Sequence, residues 1–282
     1  MDIKKILPEN GPPIKEVSKY IEKYKNELIV IKYGGNVFID RNIFNNFVTD
    51  INILNRLGIS IVVVHGGGPR IKRELEKSNI QSKFIRGLRV TDEKIIAIVE
   101  NVLIEFNNDI VKSLNNKGSK AVSFHTKNNN VIEVTPEAEE LGFVGIPSKI
   151  NSSFLINTIE NNEIPIISPL GLGKDNQTYN INGDTAAGAV AKSLRSRRLL
   201  LMTNVEGVLS KEKKLLEEIS SSEILEMIKN ETITEGMIPK INTCLDAVNN
   251  GVTAVGIIDG RKQHSILFEI FSDKGSGTLI RK

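Results

Sequence analysis

Apolar residues along this 282-residue chain follow two rhythms. Short runs apolar nearly throughout, such as ISIVVV at 59–64 and LLLM at 199–202, alternate with longer stretches whose apolar residues recur every three or four positions. Short unbroken runs read as strands covered on both faces of a parallel sheet, and the longer spacing reads as helices with one face on a core. Strands are expected over 28–32, 59–65, 121–124, 164–169, 199–203 and 253–258. Helices are expected over 41–57, 69–78, 92–116, 148–161, 185–193, 221–229 and 240–250. Strands interleaved with helices predict an α/β fold with a mainly parallel sheet. One segment, VIEVTPEAEELGFVGIPSKI at 131–150, breaks the rhythm and reads as a hairpin. Ahead of the first strand, Ile14, Val17, Ile21 and Tyr24 form an apolar stripe after Pro12-Pro13. That stripe predicts an amphipathic helix, packed on its own domain or on a partner chain.

Composition narrows the class. A hydrophobic share of 40%, a charged share of 25% and a net charge of +3 give no pull toward nucleic acid or membrane. The opening MDIKKILPEN has no signal-peptide core, and the apolar runs are too short to span a bilayer. A lone cysteine, Cys244, has no internal disulfide partner and reads as a small buried residue within INTCLDAV. The expected location is the cytoplasm, with a plastid stroma the alternative. No internal repeat or low-complexity segment is present.

Five stretches concentrate unusual residues, and four follow candidate strands, where open α/β sheets bind ligands. IKYGGN places Lys32 at a strand end before bare glycines, and IVVVHGGGPR runs from strand through Gly66–Gly68 to Pro69 at a helix start. Glycine turns of this kind expose backbone N–H groups to an anion, although a tight structural turn has the same composition. His65 reads as fixing that turn by hydrogen bonds rather than as a base. RGLRVTDEK holds Arg89 between apolar neighbours, ahead of a helix capped by Thr91 or Asp92. YNINGDTAAGAVA places Asn180, Asn182 and Asp184 before a helix of small residues, more polar groups than one cap needs. ITEGMIPKI puts Lys240 near a helix start. The P-loop spacing, the dinucleotide glycine fingerprint and the serine-hydrolase elbow are all missing. His65, His125 and His264 lack zinc spacing, and the cluster Lys192, Arg195, Arg197 and Arg198 reads as solvated.

Taken in order, KYGGN, HGGGP, GLRVT, NINGDTAA, TNVEGVL and EGMIPK resemble the amino-acid kinase family over almost the whole chain. The resemblance implies a three-layer αβα sandwich around a central, mainly parallel sheet. It implies a regulatory and oligomerising helix over 1–26, an amino-acid-substrate lobe over 27–195 and an ATP lobe over 196–282. The implied reaction moves the γ-phosphate of ATP, carried with Mg²⁺, onto the side-chain carboxylate of N-acetyl-L-glutamate, the second step of the acetylated route to arginine. Lys32 and Lys240 match lysines that stabilise the moving phosphoryl group, and Asp184 the aspartate that holds them. Gly67, Gly68, Arg89 and Asn180 match substrate positions. Asn204, Val205, Gly207, Val208, Leu209, Thr232, Ile233 and Thr234 match segments lining the nucleotide, with Asn204 where relatives usually carry Asp. No residue is matched to a metal ligand; the metal goes with the phosphates.

A glutamate carboxylate, with a pKa of about 4.3, is already ionised at neutral pH and needs no general base. Cations and N–H donors suffice, so Gly66–Gly68 are expected to admit the reacting oxygens, and Gly67→Val to stop turnover while leaving the fold intact. The N-terminal helix and HSILFEIFSDKGSGT further resemble members inhibited by L-arginine, which assemble as hexamers, trimers of dimers. On that basis Tyr20, His264, Glu269, Gly275 and Gly277 would contribute to an arginine site; the alternative is an exposed helix face and an ordinary turn. No motif assigns a signalling-protein partner. The competing readings are a family enzyme acting on another carboxylate, a carbamate or a nucleotide, and a catalytically silent arginine sensor.

Overall fold

A computed structural model describes residues 3–34, 40–233 and 237–282. Helix α1 (Ile14–Tyr24) follows Pro13, whose fixed φ suits a helix start. Strand β1 (Leu28–Tyr33) leads to α2 (Arg41–Arg56), where the Asp40 carboxylate accepts from the amide of Asn42. Strand β2 (Ser60–His65) feeds α3 (Gly68–Lys77), with Pro69 in its first turn. Two minimal strands, β3 (Phe84–Ile85) and β4 (Leu88–Arg89), form a hairpin before the long α4 (Glu93–Asn116). Asp92 caps α4 by accepting from the amide of Ile95 at 2.9 Å. The chain continues as β5 (Ala121–Phe124), β6 (Ile132–Pro136), β7 (Gly145–Ile150), α5 (Ser152–Glu160), β8 (Ile164–Ile167), β9 (Leu170–Leu172) and β10 (Thr178–Asn180). It closes with α6 (Gly183–Ser193), β11 (Arg198–Thr203), β12 (Glu218–Ser220), α7 (Ser221–Lys229), α8 (Ile238–Asn249), β13 (Ala254–Asp259), α9 (Ser265–Phe271) and β14 (Gly277–Arg281).

The main sheet has eight strands in the order β12-β14-β13-β11-β1-β2-β8-β5. From β13 to β5 every pairing is parallel, and β14 joins β13 antiparallel. The central strands β1, β2, β8, β11 and β13 are buried on both faces because each face carries its own helical layer. Ile29, Ile31, Ile61, Val63, Leu200 and Met202 pack with α1, α2, α4 and α9. Val30, Val62, Val64, Leu199 and Leu201 pack with α6, α7 and α8. Strand side chains alternate between faces, so Lys32, two positions after Val30, is directed to the α6 layer. The expected αβα sandwich with a mainly parallel sheet is the observed fold.

A smaller sheet, β10-β9-β6-β7, contains the expected hairpin, β6 antiparallel to β7. Its presence corrects two boundaries. The helix expected from 148 begins at Ser152, because Lys149 and Ile150 pair with β6 and Ser148 sits at the bulge between them and Pro147. The strand expected over 164–169 ends at Ile167, where the chain turns at Ser168-Pro169 into β9. Strands β3, β4, β9, β10, β12 and β14 and helix α9 are additions to the expected set. Among the described residues no helix is long and apolar enough to cross a membrane.

Candidate active site

Asp184 stands in the first turn of α6 but does not cap it. The Asn182 side chain does, accepting from the amides of Asp184 at 2.9 Å and Thr185 at 3.2 Å. With the cap supplied two residues earlier, the Asp184 carboxylate is free for two cations. Lys32 Nζ lies 2.9 Å from Oδ1 and Lys240 Nζ lies 2.5 Å from Oδ2. One ammonium comes from the end of β1 and the other from the first turn of α8. All three side chains are mostly buried. Burial by itself opposes ionisation of Asp184, but the charges and hydrogen bonds of Lys32 and Lys240 outweigh it and hold the carboxyl far below the usual range. For Lys32, burial and the like charge of Lys240 lower the pKa against the pull of Asp184. Removing one member of such a group leaves a buried charge without compensation. Gly34 completes the packing, since a Cβ there would stand 1.8 Å from Lys32 Nζ.

A cavity of about 260 Å³ opens beside this cluster, and Lys32, Asp184, Gly67, Gly68, Arg89 and Asn180 all line it. Its roof is the β3–β4 hairpin. Arg89 is buried, donates to the Ser82 hydroxyl and stacks over Phe84 with its guanidinium carbon 4.8 Å from the ring centroid. The two glycines differ, and one expectation needs correcting. A Cβ on Gly68 would meet nothing within 4 Å, whereas one on Gly67 would meet Leu103 Cδ2 at 2.4 Å. Gly68 therefore faces open space, and Gly67→Val would damage packing as well as the cavity. Lys240 lines an adjoining cavity of about 280 Å³ that shares Asp184 and Asn182 with the first.

A third cavity, about 490 Å³, lies past the end of β11. Of the residues matched to the nucleotide segments, Val205, Gly207, Val208, Leu209, Thr232 and Ile233 line it. Asn204 is not part of its wall, and Thr234 lies outside the described residues. Sequence reasoning missed Lys211, Lys213 and Met237, which line the same space. A lysine in a loop carries no signal until the fold says what it faces. No group of three or more His, Cys, Asp or Glu side chains gathers as a metal site among the described residues.

A fourth cavity of about 160 Å³ lies between α1, α9 and β14. Tyr20, Glu269 and Gly275 line it, together with Arg198, Glu217 and Asp273. His264 and Gly277 do not. His264 is buried with its Nδ1 2.6 Å from Asp50 Oδ1, and Gly277 packs where a Cβ would collide with the Ile257 carbonyl. The exposed-face alternative fails too, because both His264 and Glu269 are buried. Nor is the basic cluster wholly solvated: Arg198 is buried and its Nε donates to the Tyr24 hydroxyl at 3.0 Å.

An open parallel sheet whose strand ends gather ammonium groups and bare amides around a cavity is an enzyme architecture for handling anions. The chain belongs to the amino acid kinase family, whose model matches residues 27–259. It is 55% identical over 277 residues to the acetylglutamate kinase of Pelagibacter ubique, covering 98% of this chain and 96% of that one. Against the acetylglutamate kinase of Clostridioides difficile it is 43% identical over 279 residues, with 97% and 98% covered. Its fold is similar to the N-acetylglutamate synthase of Neisseria gonorrhoeae solved with coenzyme A and N-acetyl-glutamate, at a TM-score of 0.86 and 24% identity, covering 95% of this chain and 62% of that one.

Proposed function

We propose that the protein phosphorylates the side-chain carboxylate of N-acetyl-L-glutamate with ATP, giving N-acetyl-L-glutamyl 5-phosphate and ADP, as the second step of acetylated arginine biosynthesis. The observation that carries this reading is the convergence of Lys32 and Lys240 on opposite oxygens of Asp184, beside a cavity lined by Arg89, Asn180 and Gly68. A carboxylate oxygen attacks the γ-phosphorus while the bond to the ADP oxygen breaks, and no proton has to move. Attack requires two anions to be brought together and the charge on the transferred group to be neutralised. Lys32 and Lys240 supply that positive charge, and Asp184 fixes their positions. Arg89 is the partner for the carboxylate left on the α-carbon, since a guanidinium grips it with two hydrogen bonds. Asn180 donates to the acetyl oxygen.

The nucleotide is assigned to the cavity past β11, where half-exposed Val205 and Leu209 offer an apolar seat and Lys211 and Lys213 add charge. Residues 27–195 then act as the amino-acid lobe and 196–282 as the ATP lobe. Mg²⁺ accompanies the nucleotide phosphates, which suits its habit of binding through substrate phosphate oxygens with few protein carboxylates.

L-Arginine is assigned to the cavity at Tyr20, Glu269 and Gly275. Acids (Glu217, Glu218, Glu269, Asp273) and bases (Lys23, Arg198, Lys274, Arg281) share its wall, which suits a ligand carrying both charges. Helix α1, with Ile14 still exposed, is assigned to joining dimers into a hexamer. The decisive assay supplies MgATP with N-acetyl-L-glutamate or free L-glutamate, traps acyl phosphate as the hydroxamate, and repeats the reaction with arginine. Hydroxamate from the acetylated substrate, reduced by arginine, is expected; product from free glutamate alone would overturn the substrate assignment.

A further inference from the structure

His65 ends β2 directly behind the glycine turn and is completely buried. Its Nδ1 lies 2.8 Å from the carbonyl oxygen of Gly66. A carbonyl oxygen only accepts, so Nδ1 carries the hydrogen and Nε2 a lone pair. Two groups face that lone pair: Ser168 Oγ at 3.1 Å and Asn107 Nδ2 at 3.2 Å. The Asn107 amide is oriented independently of the ring. Its Nδ2 donates to the Ile166 carbonyl at 2.9 Å, and its Oδ1 accepts from the Ser123 hydroxyl at 2.6 Å. Asn107 on α4, oriented by Ile166 and by Ser123 on β5, thus specifies one tautomer, while the Ser168 hydroxyl, which also donates to the Leu103 carbonyl at 3.4 Å, suits either. Phe106 closes the pocket, its ring 5.1 Å from the imidazole and nearly perpendicular to it.

The carbonyl that His65 grips belongs to the same planar group as the N–H of Gly67. In a trans peptide these two point in opposite directions, so fixing one aims the other. The Gly66 N–H is already committed to the Tyr33 carbonyl at 2.7 Å. Helix α3 starts at Gly68, so the Gly67 amide has no helical acceptor, and Pro69 has no N–H to offer. Gly66, Gly67 and Gly68 all line the acceptor cavity.

We propose that His65 is a positioning residue: as the neutral Nδ1–H tautomer it holds the Gly66 carbonyl and thereby aims the Gly67 amide at the anionic oxygens in the cavity. This rests on the phosphoryl-transfer reading of that cavity and adds to it a residue that touches neither substrate. Burial opposes protonation of the ring and outweighs the pull of the Gly66 carbonyl, and the charge of Arg70 on α3 acts in the same direction as burial, so the pKa falls to about 4. The ring therefore stays neutral at physiological pH, as the tautomer requires.

The test compares wild type, His65→Asn and His65→Gln under MgATP and N-acetyl-L-glutamate. Asparagine places an N–H donor near the Nδ1 position, whereas glutamine reaches toward Nε2 and leaves the Gly66 carbonyl without its donor. His65→Gln is expected to lose about 100-fold in kcat/KM for the acceptor, the scale of a misplaced group, with the KM for ATP unchanged. His65→Asn is expected to retain most activity. Equal losses in both variants, or none in His65→Gln, would overturn the proposal. Nitrogen-15 NMR of wild type gives a readout independent of variant folding and of substrate: a ring protonated at Nδ1 alone is expected at pH 7, and an Nε2–H tautomer or imidazolium refutes the mechanism. Should wild type fail to turn over the acceptor, the substrate reading falls and the tautomer decides the proposal.

Discussion

Single atoms decide much of this site. Gly67 and Gly68 are adjacent and identical in sequence, yet their missing Cβ atoms would meet different surroundings: Leu103 for one, open cavity for the other. Gly68→Val is expected to fold normally by circular dichroism and to raise the acceptor KM at least tenfold. Gly67→Val is expected to lower the melting temperature as well, because overpacking a tight site costs about 1–3 kcal/mol. Asp184→Asn keeps the shape but leaves two buried ammonium groups facing a neutral amide. It is expected to lower kcat by about 100-fold or more and to destabilise the fold by about 3–5 kcal/mol, read by steady-state kinetics and urea unfolding. His65 ties stability to pH. Folded, it titrates at about 4; unfolded, at about 6.5. Between those values the folded state binds fewer protons, so stability rises with pH. The contribution is complete above about 6.5 and lost as pH falls toward 4, a total of about 3 kcal/mol. Comparing urea midpoints of wild type and His65→Asn isolates this slope from Asp50, which burial pushes up to about 6 and which runs the other way.

Elements set the distances between those residues. Helix α6 is made of GDTAAGAVAKS, and its small side chains let it lie close against β1 on one side and α8 on the other. Gly188 sits where α6 and α8 meet closely, since a Cβ there would stand 2.9 Å from Thr243 Cγ2 on α8. Lys240 rides on α8 and Asp184 on α6, so the spacing of these helices is also the spacing of the ion pair. Gly188→Val is expected to lower kcat about tenfold or more by pushing Lys240 away, with a smaller effect on acceptor binding, a split that kinetics can resolve. The sequence announced the small residues of α6 but not their reason. A helix can be small because it crowds the sheet, another helix, or both. On the other face, α2 and α9 are tied by the buried Asp50–His264 contact, 214 residues apart, which no local pattern could pair.

On the scale of the whole molecule, the strand ends of one sheet hold the cluster assigned to phosphoryl transfer while the far edge of the same sheet holds the cavity assigned to arginine. Helix α1 closes that second cavity through Tyr20 and Tyr24, and Tyr20 donates to Asp273 at 2.7 Å. The helix packs on its own chain through Val17 and Tyr24 yet leaves Ile14 exposed, so it can serve both its own chain and a neighbour. Deleting residues 1–26 is expected to leave dimers by sedimentation velocity and to weaken inhibition by arginine. Hexamers after the deletion would refute the assembly role of α1.

The apolar rhythm alone determined the alternation of the central strands with their helices, though not α9 or β14, because a strand buried on both faces and a helix buried on one leave distinct periodicities. It also marked Lys32, Asp184, Arg89 and Lys240 as residues out of keeping with their neighbours. The short strands β9, β10 and β12, the tautomer of His65, the difference between Gly67 and Gly68 and the burial of Arg198 and His264 were decided by tertiary structure. Each depends on atoms contributed by distant segments, and a linear pattern carries no record of which distant atoms will meet.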